Sequence, residues 1–470
     1  MGATASAAAL LVAEAAFPAP PEGLFAVLQD RPGSFFLDSG LPAGGLGAFS
    51  FIGFDPFLVF RSKGDRITIV EDGLAAERRG DPLEELRLLL QRYPGAPAPG
   101  LPFAGGAVGF FSYELCSRLE RIGRRTPDDP GIPEIELGFY DGVLAFCQAT
   151  GRTWLVGQAV HRDAPEQIVR RLREVVAAAW ERRGAPPAKD PAPRPRAQLR
   201  ARTSRTKYLA AIARIKDYIA AGDVYQVNLA QEFETELPCA PYALYERLRR
   251  RSPAPFAAYL NGSDFQLLSS SPERFLRLQG DRLETRPIKG TRPRGGDPAA
   301  DARLRRELLG SEKDRAELLM IVDLERNDLG RVCTPGSIRV DELFRLESHP
   351  TVHHLVAEIT GRLRPGADAV DCLRAMFPGG SITGAPKVRA MQVIDELEPV
   401  RRHAYTGAIG YLGFDGNCDL NIAIRTIFCR RGRASYHVGG GIVWDSAPES
   451  EYQETLDKGR ALQAALTEEA

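Results

Sequence analysis

The sequence predicts an α+β fold built on large antiparallel sheets. Three observations carry that reading. Short alternating runs sit in pairs around two-residue turns of Gly, Asp or Ser, the mark of a hairpin. Amphipathic segments of helical period fall between them at irregular intervals. The regular strand–helix–strand alternation of a parallel sheet is poor. With 470 residues, 44% of them hydrophobic, the chain has ample material for a large core and a buried site.

In chain order, Ser34–Asp38, Ser50–Gly53, Phe57–Arg61, Arg66–Val70 and Leu74–Ala76 read as strand pieces split by Gly and Asp turns. Pro82–Tyr93 reads as a helix, with Leu83, Leu86 and Leu90 at helical spacing. Gly138–Cys147 and Thr153–Gln158 form a strand pair around Thr150-Gly151. Ala164–Arg183 is an amphipathic helix with Ile168, Leu172, Val175, Val176 and Ala179 on one face. From Glu181 to Arg205 the chain holds five prolines, many charges and no apolar period, which marks an exposed linker. The reading therefore divides the chain into 1–183, a linker over 184–205, and 206–470.

The second part begins with a helix, Thr206–Ala221, ended by Gly222. Two hairpins follow, Phe256–Asn261 with Phe265–Ser270, and Arg274–Leu278 with Leu283–Ile288. Ser311–Asn327 is a helix with Ser311 at its N-cap and Asp314 in the capping-box position. Val370–Met376 and Ala385–Leu397 are further helices. Tyr405–Gly413, Asp419–Phe428 and Ala434–Val443 read as a three-stranded meander, and a last helix starts at Pro448, with Ser446 and Glu449 suited to cap it.

Composition excludes several function classes. Lys and Arg number 61 and so do Asp and Glu, so the net charge is zero, against a nucleic-acid binder that must displace counterions. Seven cysteines without a CxxC spacing fit reduced thiols in a cytoplasmic protein, not a disulfide frame or a zinc site. No run approaches the ~18 apolar residues of a membrane span. The N-terminal apolar run lacks a basic start and is interrupted by Glu14, so it is not read as a secretory signal. Gly2 and Ser6 meet only a short, loose acylation pattern.

Several clusters bear chemistry. Asp314 and Glu317, and again Glu451 and Glu454, are spaced to lie on one face of a helix, with Lys458 on the second face. Such pairs are common on solvated helices; brought together, two acidic faces would suit Mg²⁺, which takes one or two carboxylates and keeps other positions open. Gly439-Gly440-Gly441 weakens a strand end, and is either a flexible end or a place of close backbone approach to an anion. Lys289, in Thr285–Thr291 near the end of a strand, either points to water or, if buried, becomes a nucleophilic amine. Arg425 alternates with Ile422 and Ile424 and so is placed mid-strand, exposed or clamping a carboxylate. The Gly-rich stretch Phe377–Lys387 is not a nucleotide loop, because Ala385-Pro386 separates its glycine from Lys387. His353-His354 lacks the spacing of a metal pair; one of the two could serve acid–base work.

Taken in order, these runs resemble the chorismate-utilising enzyme family. The matching stretches are Gly222–Leu229, Ser271-Pro-Glu-Arg-Phe275, Arg286–Thr291, Asp314–Asp328, Val352–Val356, Phe377–Lys387, Ala423–Thr426, Gly439–Gly441 and Glu451–Lys458. The resemblance implies two large antiparallel sheets packed orthogonally in an α/β/β/α sandwich to which both halves of the chain contribute, so that the linker is a surface excursion. Position 289 separates the branches. Those that form anthranilate or isochorismate carry a small residue there, and a lysine resembles the branch that forms 4-amino-4-deoxychorismate, toward 4-aminobenzoate and folate.

The resemblance further implies roles for named residues. Lys289 would attack C2 of chorismate as the C4 hydroxyl leaves, and ammonia would then add at C4 and expel the lysine. Glu273 would be the general acid/base, with His354 near the leaving group. Glu317 and Glu454 would hold Mg²⁺, helped by Asp314 and Glu451, and the metal would hold the ring carboxylate. Arg425, Tyr405 and the amides of Gly440 and Gly441 would receive the enolpyruvyl carboxylate, with Lys458, Thr291 and Thr383 lining the pocket. A dianion would thus meet a metal, two cations and backbone donors. No cysteine has the Gly-x-Cys-x-Gly setting of a fused glutaminase, so ammonia would come from a separate glutamine amidotransferase subunit. Leu37-Asp38-Ser39 lies where related enzymes bind tryptophan. Two other functions compete: an anthranilate-forming enzyme, and a regulatory homologue that binds chorismate or tryptophan without turnover.

Overall fold

Strands from both halves of the chain meet in each of two sheets of the computed structural model, which describes residues 9–41, 46–123, 126, 131–184, 198–349 and 352–467. The first sheet runs, edge to edge, Leu10–Glu14, Thr153–Gln158, Gly142–Cys147, Phe49–Gly53, Phe35–Asp38, Phe256–Asn261, Phe265–Ser271, Thr426–Arg430, Arg433–Ile442, Gln226–Glu236 and Arg200–Ala201. The short strand Gly384–Ala385 also pairs with Gln226–Glu236. The second runs Ile288–Pro293, Val352–Arg362, Arg282–Arg286, Arg274–Gln279, Cys418–Ile422, Ala408–Gly413, Gly106–Phe111, Ile135–Tyr140, Leu58–Lys63, Arg66–Glu71 and Leu74–Arg79. Arg339–Ser348 pairs with Val352–Arg362 at its end. Most of the stretch 184–205, read as a linker, and residues 1–8 lie outside the described residues.

The layering follows from which faces are apolar. Phe35, Phe51, Val143 and Leu267 from the first sheet meet Phe110, Ile409 and Tyr411 from the second in a core between the sheets. The outer face of the second sheet is covered by the helices Pro82–Arg92, Glu312–Gly330 and Ala369–Met376. That of the first is covered by Pro21–Leu28, Pro165–Glu181, Pro241–Arg251 and Pro448–Thr467. Burial on both faces explains strands with almost no exposed residue, such as Gly106–Phe111 and Ala408–Gly413.

Three expected strands are divided. Gly138–Cys147 is two strands, one in each sheet, with the crossing at Asp141. Asp419–Phe428 is likewise two, crossing at Ala423–Arg425, so the expected meander does not exist: its first hairpin lies in the second sheet and its last in the first. Leu283–Ile288 breaks at Pro287. Both flanks of a crossing are buried, so apolar residues continue through it, and the Gly142 or Pro272 beside it reads like the turn residues found elsewhere in the chain. A third crossing, at Pro272-Glu273, joins Phe265–Ser271 to Arg274–Gln279. It lies beside the one at Arg425: Ser271 Oγ donates to the Ile422 carbonyl at 2.6 Å, and the Ile422 N–H to the Glu273 carbonyl at 3.0 Å.

Candidate active site

The two adjacent crossings place Glu273 and Arg425 side by side. Arg425 is therefore not mid-strand; it sits between strands with φ +50°, a conformation in which its side chain leaves the sheet. Among the described residues no carboxylate pairs with its guanidinium, and burial lowers its pKa, opposed by the charge of Glu273. A buried cation without a partner is costly unless a ligand supplies the anion.

Lys289 is aimed by a bulge. The strand Ile288–Pro293 pairs with Val352–Arg362, but the register shifts between Lys289 and Thr291, and Gly290 takes φ +70°. A Cβ at 290 would stand 2.9 Å from Asp314 Cγ and 2.8 Å from Leu308 Cδ1, so only glycine fits. The Lys289 amine donates to the Ser381 carbonyl at 3.1 Å. Burial pushes its pKa down and Lys458 adds to that, against Glu317, Glu273 and Glu454.

Glu273 is buried, which raises its pKa. Its Oε1 accepts from Ser381 Oγ at 2.6 Å and from the Ile288 N–H at 3.3 Å. His354, opposite Thr291 in the pairing, shares a 3.0 Å hydrogen bond between its Nδ1 and the Thr291 hydroxyl. Burial, with Arg425 and His349 nearby, holds its pKa well below the usual range, so the ring is neutral. Its neighbour His353 is tied to Ser348 and Asp301 instead.

The two acidic helix faces meet across the Lys313 ammonium, which is 3.9 Å from Glu317 Oε1 and 3.7 Å from Glu451 Oε1. Glu451 accepts from Ser446 Oγ at 2.6 Å, and Glu454 pairs with Lys458 at 2.8 Å. Burial raises the Glu317 pKa, with Asp314 and Glu454 adding to it. Burial pushes Glu454 the same way, but Lys458 brings it below its ordinary value. Asp314 stands apart, paired with Arg292 at 3.1 Å. Crowded carboxylates whose negative charge is met only by lysines have the chemistry a divalent cation takes, but among the described residues no three of them bring ligand atoms close enough together to share an ion as they stand. Among the described residues one group of three metal-type ligands lies elsewhere, Glu71, Asp72 and His161, and its carboxylates already pair with Arg92 and Arg162.

The glycines lie against these acids. A Cβ on Gly440 would stand 3.4 Å from Glu451 Oε2, and one on Gly439 2.6 Å from the Leu229 carbonyl. Gly440 faces Leu229 and Gly441 faces Asn228 in the ladder. Asn228 directs its N–H to the Thr383 carbonyl and accepts from Arg402, so the ladder bonds fall to Leu229–Gly440. Of the two amides expected to bind an anion, that of Gly440 is thus in the ladder and that of Gly441 faces away from the Gln226–Glu236 strand. Tyr405 is buried, stacked on His437, and its hydroxyl approaches Gly439. Lys458 donates to the Gly439 carbonyl at 3.1 Å, and Thr383 to the carbonyls of Gly379 and Gly380.

Residue-by-residue reading of the sequence missed Ser381 and Gln226, although both lie in stretches that carried the resemblance. Gln226 is fully buried beside Gly441, and neither atom of its amide has a hydrogen-bond partner among the described residues. An orphaned amide is visible only in three dimensions. Leu37 and Ser39 line a separate cavity of about 420 Å³ with Phe256, Arg277 and Asn421, while the Asp38 carboxylate is taken by Arg249 and Tyr245. No described helix is long and apolar enough to cross a membrane.

The model of the chorismate binding enzyme family matches residues 34–464. The chain is 41% identical over 456 residues to aminodeoxychorismate synthase component 1 of Salmonella typhimurium, covering 94% of each. It is 39% identical over 461 residues to anthranilate synthase component 1 of Pseudomonas putida, covering 95% of this chain and 92% of that one. Among solved structures, anthranilate synthase component I of Streptococcus pneumoniae superposes with a TM-score of 0.79 at 31% identity, covering 90% of this chain and 93% of the other.

Proposed function

The chain belongs to the chorismate binding enzyme family, and from that premise we propose that it aminates chorismate at C4 to give 4-amino-4-deoxychorismate. The names of its relatives divide almost evenly between this reaction and anthranilate formation, so similarity alone does not choose. One observation carries the choice. A lysine occupies position 289, half-buried, with its pKa lowered and a single neutral carbonyl as hydrogen-bond partner. Burial favours the neutral, nucleophilic form of such an amine.

In the proposed reaction the Lys289 amine forms a bond to C2. The electron pairs of the two ring double bonds shift toward C4, and the C4 hydroxyl leaves as water with a proton from Glu273. Ammonia then adds at C4, the double bonds shift back, the C2–N bond breaks and Lys289 returns as its neutral amine, while the new C4 ammonium gives its extra proton to Glu273 or to solvent. Arg425, which lacks an anionic partner, receives the enolpyruvyl carboxylate together with Tyr405 and the Gly441 amide. Neutral His354 and Thr291 stand on the leaving-group side. Glu317 and Glu454 would hold Mg²⁺, with Glu451 beside them and Asp314 behind, and the ion would neutralise and anchor the ring carboxylate. Relatives named as a component 1 support the expectation of a second subunit, and a glutamine amidotransferase would supply the ammonia.

The test is to incubate the protein with chorismate, Mg²⁺ and ammonium and to follow products by mass. Aminodeoxychorismate is expected, and Lys289→Ala should abolish it. Anthranilate with release of pyruvate, or full turnover by Lys289→Ala, would overturn the proposal.

A further inference from the structure

We propose that Ser381 is a positioning residue that sets the two reacting groups of the site against each other, holding the Lys289 amine on its carbonyl and the Glu273 carboxyl on its hydroxyl. It rests on the reading of Lys289 and Glu273 as the reacting groups. Ser381 lies in the middle of a 3₁₀ turn, Gly380–Ile382, and is 4% exposed. The turn is fixed from both sides. A Cβ on Gly380 would stand 2.9 Å from Leu324 Cδ2, so the turn is pressed on the helix Glu312–Gly330. On its far side Arg402 donates to the Ile382 carbonyl at 3.1 Å.

Each half of the contact has a chemical consequence. A carbonyl takes one N–H of a neutral amine and leaves the lone pair free, whereas a carboxylate in that place would hold the ammonium form. On the other side, Glu273 Oε1 already accepts from Ser381 Oγ at 2.6 Å and from the Ile288 N–H at 3.3 Å. Two donors on one oxygen leave Oε2 as the oxygen that carries the moving proton. Ser381 thereby selects which face of the carboxyl does acid–base work and keeps it in register with the amine. The charged and titratable groups facing Glu273 are Lys289, Lys458 of the last helix, Arg425 of the neighbouring crossing and Glu325 of the helix Glu312–Gly330. None of these changes when the hydroxyl is removed.

Ser381→Ala tests the proposal, with Ser381→Thr retaining the donor. Chorismate consumption is followed across pH, and the limb of the profile that Glu273→Gln removes is taken as that of Glu273. Loss of a donor to the carboxylate should move that limb of Ser381→Ala upward by about one pH unit. Turnover should fall about 10–100-fold with an unchanged melting curve. Ser381→Thr should restore the limb; if it is too crowded to fold, the Ala variant alone decides. A limb that stays in place in Ser381→Ala, or one unaffected by Glu273→Gln, overturns the proposal. Products are identified by mass in the same samples. A wild type that makes anthranilate therefore overturns the amination reading, while the position of the limb still judges Ser381.

Discussion

Two arginines of this molecule, Arg402 fully buried and Arg425 half-buried, could hardly differ more in company. Arg402 is saturated: it bonds both oxygens of Glu398, the carbonyls of Asn228 and Ile382, and the Thr406 hydroxyl. Arg425 has no ion-pair partner among the described residues, and its pKa is lowered by burial. The lysines repeat the contrast. Lys387 is held by Asp328 and by the carbonyls of Met376 and Pro378, whereas Lys289 has the single carbonyl of Ser381. Saturated cations tie together the segments that carry the site: Arg402 joins the Gln226–Glu236 strand to the Gly380–Ile382 turn. On the proposed function the cations left short of partners are the ones that meet ligand, because a buried charge is tolerated unpaired only where something else completes it.

The sharpest way to break this division is to remove one cation of each kind. Lys289→Ala should lower turnover by at least about 10³-fold and leave the melting curve unmoved. Before it is removed, its pH dependence is also informative. The folded pKa of Lys289 lies below the ordinary 10.5, and the neutral amine is the reactive form. Turnover should therefore fall as pH drops through that lowered value, and a profile that falls only near the ordinary lysine value would mean the amine is not desolvated. Arg402→Met should do the reverse. It strands Glu398 in the interior and should cost about 3–5 kcal/mol of stability, read from urea midpoints. A variant as stable as the parent would show that the saturated network is dispensable.

A smaller effect is expected where a donor is exchanged for a weaker one. Arg425→Gln keeps polar contact but loses the charge, and should raise KM for chorismate about 10–100-fold, the worth of a charge-assisted hydrogen bond. Stability should hold or improve, because an unpaired buried cation is removed. Loss of stability without a change in KM would place Arg425 among the structural cations after all.

How much of this was legible in the sequence depends on the range of the interaction. Hairpins such as Phe256–Asn261 with Phe265–Ser271 were readable because a local turn fixes their register. The Ser311 N-cap was readable because the cap bond spans three residues. The crossings at Asp141 and Ala423–Arg425 were not, because apolar alternation continues through them and the change of sheet depends on a partner far along the chain. The candidate site shows the same limit. Lys289, Glu273 and His354 stand out as motif residues, but the contact that joins two of them passes through Ser381, 92 positions from Lys289. The acidic helices were visible as spacings, yet nothing local indicated that Asp314 would turn away to Arg292.

Buried acids divide in the same way as the cations, and Glu325 is the telling case. It is fully buried, and burial, with Glu273 and Asp328 adding to it, pushes its pKa up to about 8. The Thr285 hydroxyl, 2.8 Å from the Phe275 carbonyl and 2.9 Å from Glu325 Oε2, donates to the carboxyl and opposes the rise without cancelling it. The unfolded chain releases the Glu325 proton near the ordinary glutamate value of 4.5, while the folded chain keeps it to about 8. Between those values the folded state binds more protons, so stability should fall as pH rises through the window and level off above it. Glu325→Gln removes the slope. It should therefore gain on the parent by about 2–4 kcal/mol between pH ~5 and ~8, read from urea midpoints at both. Parallel stability curves for the two proteins would mean that Glu325 is ionised in the fold, and that a second buried charge stands behind Glu273 instead of a neutral acid.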